Sequence, residues 1–357
     1  MGLKVRKRSA VIGLLLAFVL VAAACGDDDD AGADGIVACF VTDDAGVDDR
    51  SFNAAGWDGV QTAVAEGSAN ANPILLESDS EADYQPNVEQ CIEQGATHIV
   101  TNGFKLGATT QQFAELNPDI TWTIIDFSYD PDIANVRELV YQTDEGTFAA
   151  GYLAAGMTKT GIVGTYGGVN IPTVSIFMDG FTRGVAHYND VKGTSVEVKG
   201  WDVASQDGSF TGTFDPGDPA VRALCEGLLD EGADIILPVG GAINNPCGTA
   251  IQDRGLDAAM IGVDTDAFFA MPEALQDLWL VTVLKGIEVQ IAASIAADAA
   301  GTWTAGGIVG NVANGAIGLS GYHSWADRVP AGLNDEVQQL LKDIEDGTLD
   351  AAVFNVG

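Results

Sequence analysis

Val41-Thr-Asp-Asp-Ala-Gly-Val-Asp-Asp-Arg-Ser-Phe-Asn53 joins an apolar run, Gly35 to Val41, to a stripe of Ala55, Trp57, Val60 and Val64 at helical spacing. The first run reads as a buried strand and the stripe as an amphipathic helix that begins at Ser51. The Ser51 hydroxyl is expected to cap that helix by accepting an orphan N–H. Strand, acidic loop and helix in this order make a βα unit, whose loop points its side chains at a ligand. Asp and Asn favour turns for their own sake, so carboxylates alone decide little. Phe52 changes the balance, because a ring among carboxylates asks for something flat against it.

The same alternation continues along the chain. Strands are expected at Gly35 to Val41, Ile74 to Leu76, Thr97 to Thr101, Thr121 to Ile125, Ile162 to Tyr166, Ser195 to Trp201, Ile235 to Val239 and Met260 to Val263. Helical spacing separates them, as in Tyr84 to Gly95 and Val221 to Gly232. This order implies an α/β fold, with parallel sheets covered by helices on both faces. Two stretches also echo each other, Glu93-Gln-Gly-Ala-Thr-His-Ile-Val100 and Asp230-Glu-Gly-Ala-Asp-Ile-Ile-Leu237, each a helix end, a Gly-Ala turn and a strand start. Two similar domains follow from that echo.

The N-terminal residues predict export. Lys4, Arg6, Lys7 and Arg8 precede an apolar stretch from Ala10 to Ala24, and small residues stand directly before Cys25. The pattern resembles the lipobox of bacterial lipoproteins, in which that cysteine is acylated, so Cys25 is the expected lipid anchor. Gly26 to Asp34 is almost wholly Asp, Gly and Ala and reads as a solvated tether. The chain of 357 residues is 47% hydrophobic, with 51 acids against 16 bases and a net charge of -35. Such a surface offers no basic face to nucleic acid and no Lys or Arg cluster for phosphates. Cys39, Cys91, Cys225 and Cys247 are even in number, and the local pairing is 39 with 91 and 225 with 247. Four buried free thiols are the other possibility.

In open α/β sheets the ligand sits beyond the carboxyl ends of the strands. The loops there carry Asn102-Gly-Phe104, Asp126-Phe127, Gly240-Gly241 and Asp264-Thr-Asp266. Carboxylates accept from hydroxyl or ring N–H groups, glycines let a ligand touch backbone and aromatics offer a face. Together these suit a neutral, flat, hydroxyl-rich molecule.

The run Val41 to Asn53, Met157-Thr-Lys-Thr-Gly161, Gly167-Gly-Val-Asn-Ile-Pro172, Phe177 to Gly184, Gly232-Ala-Asp, Ile261-Gly-Val-Asp-Thr-Asp266 and Val283-Leu-Lys285 together resemble the basic membrane protein family. These are substrate-binding lipoproteins of ABC transport systems that bind purine nucleosides. The resemblance spans roughly residues 36 to 325 and implies a type I periplasmic-binding-protein fold, with two Rossmann-like lobes clamping the ligand. It implies ligand contacts at Asp43, Phe52, Asn53 and Asp126 from one lobe, with Phe52 stacking on the base. From the other it implies Gly240, Gly241, Asp264 and Lys285, with Phe214 preferred over Phe210 as a second stacking ring. Asp48 and Asp49 are left to shape the turn and the helix start.

The expected organisation is a signal peptide at 1–24, a tether at 25–35, lobe 1 at 36–142 plus about 283–306, and lobe 2 at 143–282 plus about 307–357. Expected partners are a purine nucleoside, ABC permease subunits and the membrane through Cys25, with a monomeric chain and no cofactor, metal or nucleic acid. His98, His187 and His323 are isolated and read as structural. Gly151 to Thr160 nearly spells a P-loop, but Lys159 falls late and the segment follows a helical pattern. Two rivals remain open: a nucleoside hydrolase built on Asp43, Asp48 and Asp49, and a sensor docking on a receptor.

Overall fold

The computed structural model describes residues 35–354. The expected signal peptide, the acidic tether to Asp34 and the Cys25 anchor lie outside the described residues. The described residues form one compact unit.

The strands run β1 Ala38–Val41, β2 Ile74–Leu76, β3 His98–Asn102, β4 Thr121–Ile125, β5 Val136–Tyr141, β6 Ile162–Gly167, β7 Glu197–Lys199, β8 Trp201–Asp202, β9 Asp207–Gly208, β10 Ile235–Val239, β11 Ala259–Asp264, β12 Trp279–Lys285, β13 Gly306–Gly310 and β14 Ile317–Leu319. They assemble into two six-stranded sheets ordered β13-β5-β4-β3-β1-β2 and β14-β12-β11-β10-β6-β7, with β8 and β9 as a small separate pair. Strands β2, β1, β3, β4 and β5 of the first sheet correspond in order and parallel direction to β7, β6, β10, β11 and β12 of the second. The repeated Gly-Ala turns enter β3 and β10, which hold the same place in their sheets.

Each sheet is buried on both faces. Phe40, Val100, Ile125 and Leu139 pack on one side of the first sheet, while Val41, Ile99, Trp122 and Ile124 pack on the other. Such strands read as continuous apolar runs, which is why most were visible in the sequence. Strand β5 was not, because Arg137 and Glu138 interrupt it, yet both are buried. Arg137 is satisfied there by Thr304 O (3.0 Å) and Ser294 Oγ (3.2 Å). Strands β12, β13 and β14 were likewise absent from the expected set. The expected strand Ser195 to Trp201 is broken in two at Gly200, whose φ of 91° leaves the extended region.

Among the described residues the chain passes between the sheets after β5, after β12 and after β13. Val283–Lys285 belong to the second sheet and Gly307–Gly310 to the first, so the last two crossings fall a few residues later than the expected 283–306 segment. The connections are tied together: Gln142 N donates to Gly310 O at 2.8 Å and Gly286 N to Ala316 O at 2.7 Å. Disulfides join Cys39 to Cys91 and Cys225 to Cys247, one beside each sheet.

Candidate functional site

The carboxyl ends of the two sheets face a cleft lined from both lobes, with about 620 Å³ of space not filled by atoms. In the first sheet β1 and β3 are neighbours whose onward connections leave in opposite directions, β1 to β2 and β3 to β4. A crevice opens where strand order reverses in this way. Asp43 follows β1, Gly103 follows β3 and Asp126 follows β4, and all three line the cleft.

Asp43 is fixed by its neighbours. Its Oδ1 accepts from Asn53 Nδ2 at 2.7 Å and from Ala45 N at 3.1 Å, while Oδ2 has no protein partner among the described residues. Burial pushes its pKa up to about 7, against the lowering pull of the Asn53 and Ala45 bonds. A carboxyl group poised there can either accept or donate. Gly103, φ 126°, lies so close that a Cβ on it would be 3.2 Å from Asp43 Oδ2.

The helix Phe52–Ala65 starts differently from expectation. Ser51 occupies the N-cap position but makes no side-chain cap bond. Asp49 serves instead: its carboxylate accepts from Ser51 N (2.9 Å), Asn53 N (2.8 Å) and Ala54 N (3.1 Å). Two carboxylate oxygens satisfy more orphan donors than one hydroxyl can. The Ser51 hydroxyl is thereby free to reach lobe 2. Asp48 is exposed and does not line the cleft.

Asn53 reaches the cleft wall, but its amide is already engaged. Nδ2 donates to Asp43 and Asp49, and Oδ1 accepts from Asn102 Nδ2 at 3.0 Å. Its place is to hold Asp43 in position. Phe52 also lines the cleft, and Lys285 Nζ lies 4.9 Å from its ring centroid. The ammonium group of Lys285 thus lies against this ring, at cation–π distance.

Asp126 and Asp264 close β4 and β11, equivalent strands of the two sheets. Both take left-handed backbone, φ 64° and 68°. For residues with a Cβ this conformation costs about 1 kcal/mol or more, and such strain gathers at ligand sites. Asp126 forms a buried ion pair with Lys285 Nζ at 2.6 Å. Burial raises the Asp126 pKa and Lys285 opposes the rise. Asp264 is pushed up to about 6 by burial, with Lys285 lowering it and Asp126 raising it.

Lobe 2 supplies less side chain and more backbone. Gly240 (φ 150°) and Gly241 (φ 59°) follow β10 and line the cleft. Phe214 lines it as well, whereas Phe210, partly buried, packs against the core, edge-on to Trp201 with ring centroids 5.9 Å apart. All the expected ligand-binding positions thus lie around one cleft.

Sequence reasoning missed Lys105 and gave Phe104, Ile171 and Phe177 no assigned contact, yet each lines the cleft. Lys105 Nζ is 3.0 Å from Asp44 Oδ2 and 5.7 Å from the Phe214 ring centroid. The loop was read only as far as Phe104, one residue short of it. Among the described residues no group of three or more His, Cys, Asp or Glu is placed to hold a metal ion.

Comparison with known proteins agrees with this arrangement. Residues 36–348 match the family model described as Bmp, ABC transporter substrate-binding protein PnrA-like. The chain is 26% identical to the ABC transporter nucleoside-binding protein BmpA of Lactococcus lactis, over 95% of this chain and 97% of that one. It is 28% identical to basic membrane protein A1 of Borrelia garinii, over 64% of each. A solute-binding protein of an ABC transporter system from Aeropyrum pernix superposes with a TM-score of 0.76 at 21% identity, covering 88% of this chain and 92% of that one. The fold is that of a type I periplasmic binding protein, and the chain belongs to the Bmp family, the PnrA-like substrate-binding proteins of ABC transporters.

Proposed function

We propose that this chain is an exported lipoprotein that holds a purine nucleoside between its two lobes and delivers it to the permease of an ABC importer. The observation that carries the reading is the pairing of Phe52 from lobe 1 with Phe214 from lobe 2 around one cleft whose polar groups include Asp43, Asp126, Asp264, Lys105 and Lys285. A planar base suits the rings, since stacking contributes ~1 to 3 kcal/mol per base in nucleic-acid systems. The carboxylates suit ribose hydroxyls and a ring N–H, and the two lysines suit ring oxygen or nitrogen acceptors. Leaving any of these buried groups unmatched costs ~1 to 3 kcal/mol, which discriminates against the wrong base.

Carboxylates outnumber ammonium groups in the cleft, which disfavours a phosphorylated ligand. The relative from Lactococcus lactis whose name specifies nucleoside binding supports the ligand class. Anchoring through Cys25 and export rest on the N-terminal sequence. Asp43, Asp49 and exposed Asp48 do not form the paired acid and base that a hydrolase needs, since Asp49 is occupied by the helix start.

A thermal-shift panel of purine nucleosides, pyrimidine nucleosides, free bases and pentoses tests the reading. Purine nucleosides should raise the melting temperature most, because stabilisation grows with ligand concentration over its dissociation constant. Stabilisation by pentoses alone would overturn it, and release of free base from inosine during incubation would make the protein an enzyme.

A further inference from the structure

The two lobes bond directly to each other beside the cleft, through residues that do not depend on a ligand. Ser51, at the start of the Phe52–Ala65 helix, is fully buried. Its hydroxyl lies 3.0 Å from Asp264 Oδ2 and 3.2 Å from Val263 O, both in lobe 2. From the other direction, Thr265 Oγ1 of lobe 2 donates to Arg50 O of lobe 1 at 3.0 Å. Gly241 seals the same spot: a Cβ on it would sit 3.4 Å from Ser51 Cβ and 3.7 Å from Asp49 Oδ2. These adjacent pairs, Arg50-Ser51 and Asp264-Thr265, form a reciprocal contact between the lobes.

We propose that Ser51 and Thr265 form a latch between the lobes, and that Ser51 is a positioning residue that orients the Asp264 carboxylate and sets how slowly ligand leaves. Asp49 already satisfies the start of the helix, so the local structure does not use the Ser51 hydroxyl. A hydroxyl donating to a carboxylate in a buried setting is a strong bond of its kind. Neither latch bond can exist once the lobes separate. Their energy therefore favours the closed form with or without ligand, shifting the population toward it. Capture by the open form itself does not involve the latch, so its loss falls mainly on dissociation, and association rises only by the factor by which the open fraction grows. The bonds also fix which oxygen of Asp264 remains for a ligand: Oδ2 accepts from Ser51, leaving Oδ1.

The ligand arm of the test rests on the nucleoside reading, while the latch itself does not. Small-angle scattering of the ligand-free wild type and of a Ser51→Ala, Thr265→Ala double variant should show a larger radius of gyration for the variant. Stopped-flow kinetics with inosine as the probe should show dissociation about tenfold faster, corresponding to about 1.4 kcal/mol, with the association rate within about twofold of wild type. Circular dichroism verifies that the variant is folded. Should the double variant not fold, Thr265→Val alone, at a half-exposed position, should speed dissociation and expand the ligand-free chain in the same direction. An unchanged radius of gyration together with unchanged dissociation in a folded variant overturns the latch. If wild type binds neither inosine nor guanosine, the nucleoside reading fails and the scattering comparison still decides the latch.

Discussion

Lobe 1 presents side chains to the cleft where lobe 2 presents backbone. After the equivalent strands β1 and β6 come Asp43 in one lobe and Gly168 in the other, and β3 ends in Asn102 before Gly103 where β10 is followed by Gly240-Gly241. Only at β4 and β11 do the lobes agree, each ending in a carboxylate on left-handed backbone. Even there the partners differ in kind: Asp126 of lobe 1 is ion-paired to Lys285 from the second sheet, while Asp264 of lobe 2 takes the hydroxyl of Ser51 from lobe 1. The two lobes thus share one framework, and lobe 1 brings Asp43 to the cleft where Gly168 follows the matching strand of lobe 2. Each shared carboxylate is answered from the opposite lobe, which makes the contact set complete only in the closed form.

The largest test of this contrast is Lys285→Met. Removing the cation leaves Asp126 buried without a partner, with Asp264 close enough to raise its own pKa through Asp126. Denaturant titration should show a loss of about 3 to 5 kcal/mol, and inosine binding should fall with it. Unchanged stability would mean that the cross-lobe ion pair holds nothing together. The disulfides probe the lobes one at a time. Cys39–Cys91 spans 52 residues and Cys225–Cys247 spans 22. Replacing the cysteines by serine should cost about 4 kcal/mol in lobe 1 and about 3 in lobe 2 from loop entropy, measured by chemical unfolding.

Smaller effects are expected from the rings. Phe52→Ala and Phe214→Ala should each weaken inosine binding by ~1 to 3 kcal/mol in calorimetric titrations, with little change in ligand-free melting temperature. A loss of stability equal to the loss of binding would return Phe52 to the core. The smallest is a pH effect at Asp43, whose folded pKa of about 7 stands above its ordinary value of 3.8. A raised carboxyl pKa contributes stability that is present below pH 4 and lost as pH rises through 7. The stability of Asp43→Asn relative to wild type should therefore rise from pH 5 to pH 8, read by chemical unfolding at the two pH values. A pH-independent difference would show that Asp43 is not held neutral by burial.

Much of this was legible in the residue pattern. Doubly buried parallel strands such as β4 and β10 read as short apolar runs, and the repeated Gly-Ala turns announced two similar lobes. Asp43, Asp126, Asp264 and the Gly240-Gly241 pair stand at strand ends, so their place at the cleft followed from strand positions alone. What escaped was non-local. Strand β5 carries buried Arg137 and Glu138, and Arg137 is satisfied by Thr304 and Ser294, far along the chain. The Ser51 hydroxyl finds its acceptor 213 residues away, and local spacing could suggest only a cap. Lys105 bonds to Asp44 and reaches Phe214 across the cleft, a placement no single loop encodes.

The central claim is that one purine nucleoside lies between Phe52 and Phe214. Calorimetric titration of the chain with inosine, guanosine, uridine and ribose tests it most directly. One site per chain is expected, filled by a purine nucleoside at least about tenfold more tightly than by uridine or ribose, with affinity reduced in both Phe52→Ala and Phe214→Ala. Binding of ribose alone, or purine binding that neither variant weakens, would contradict it.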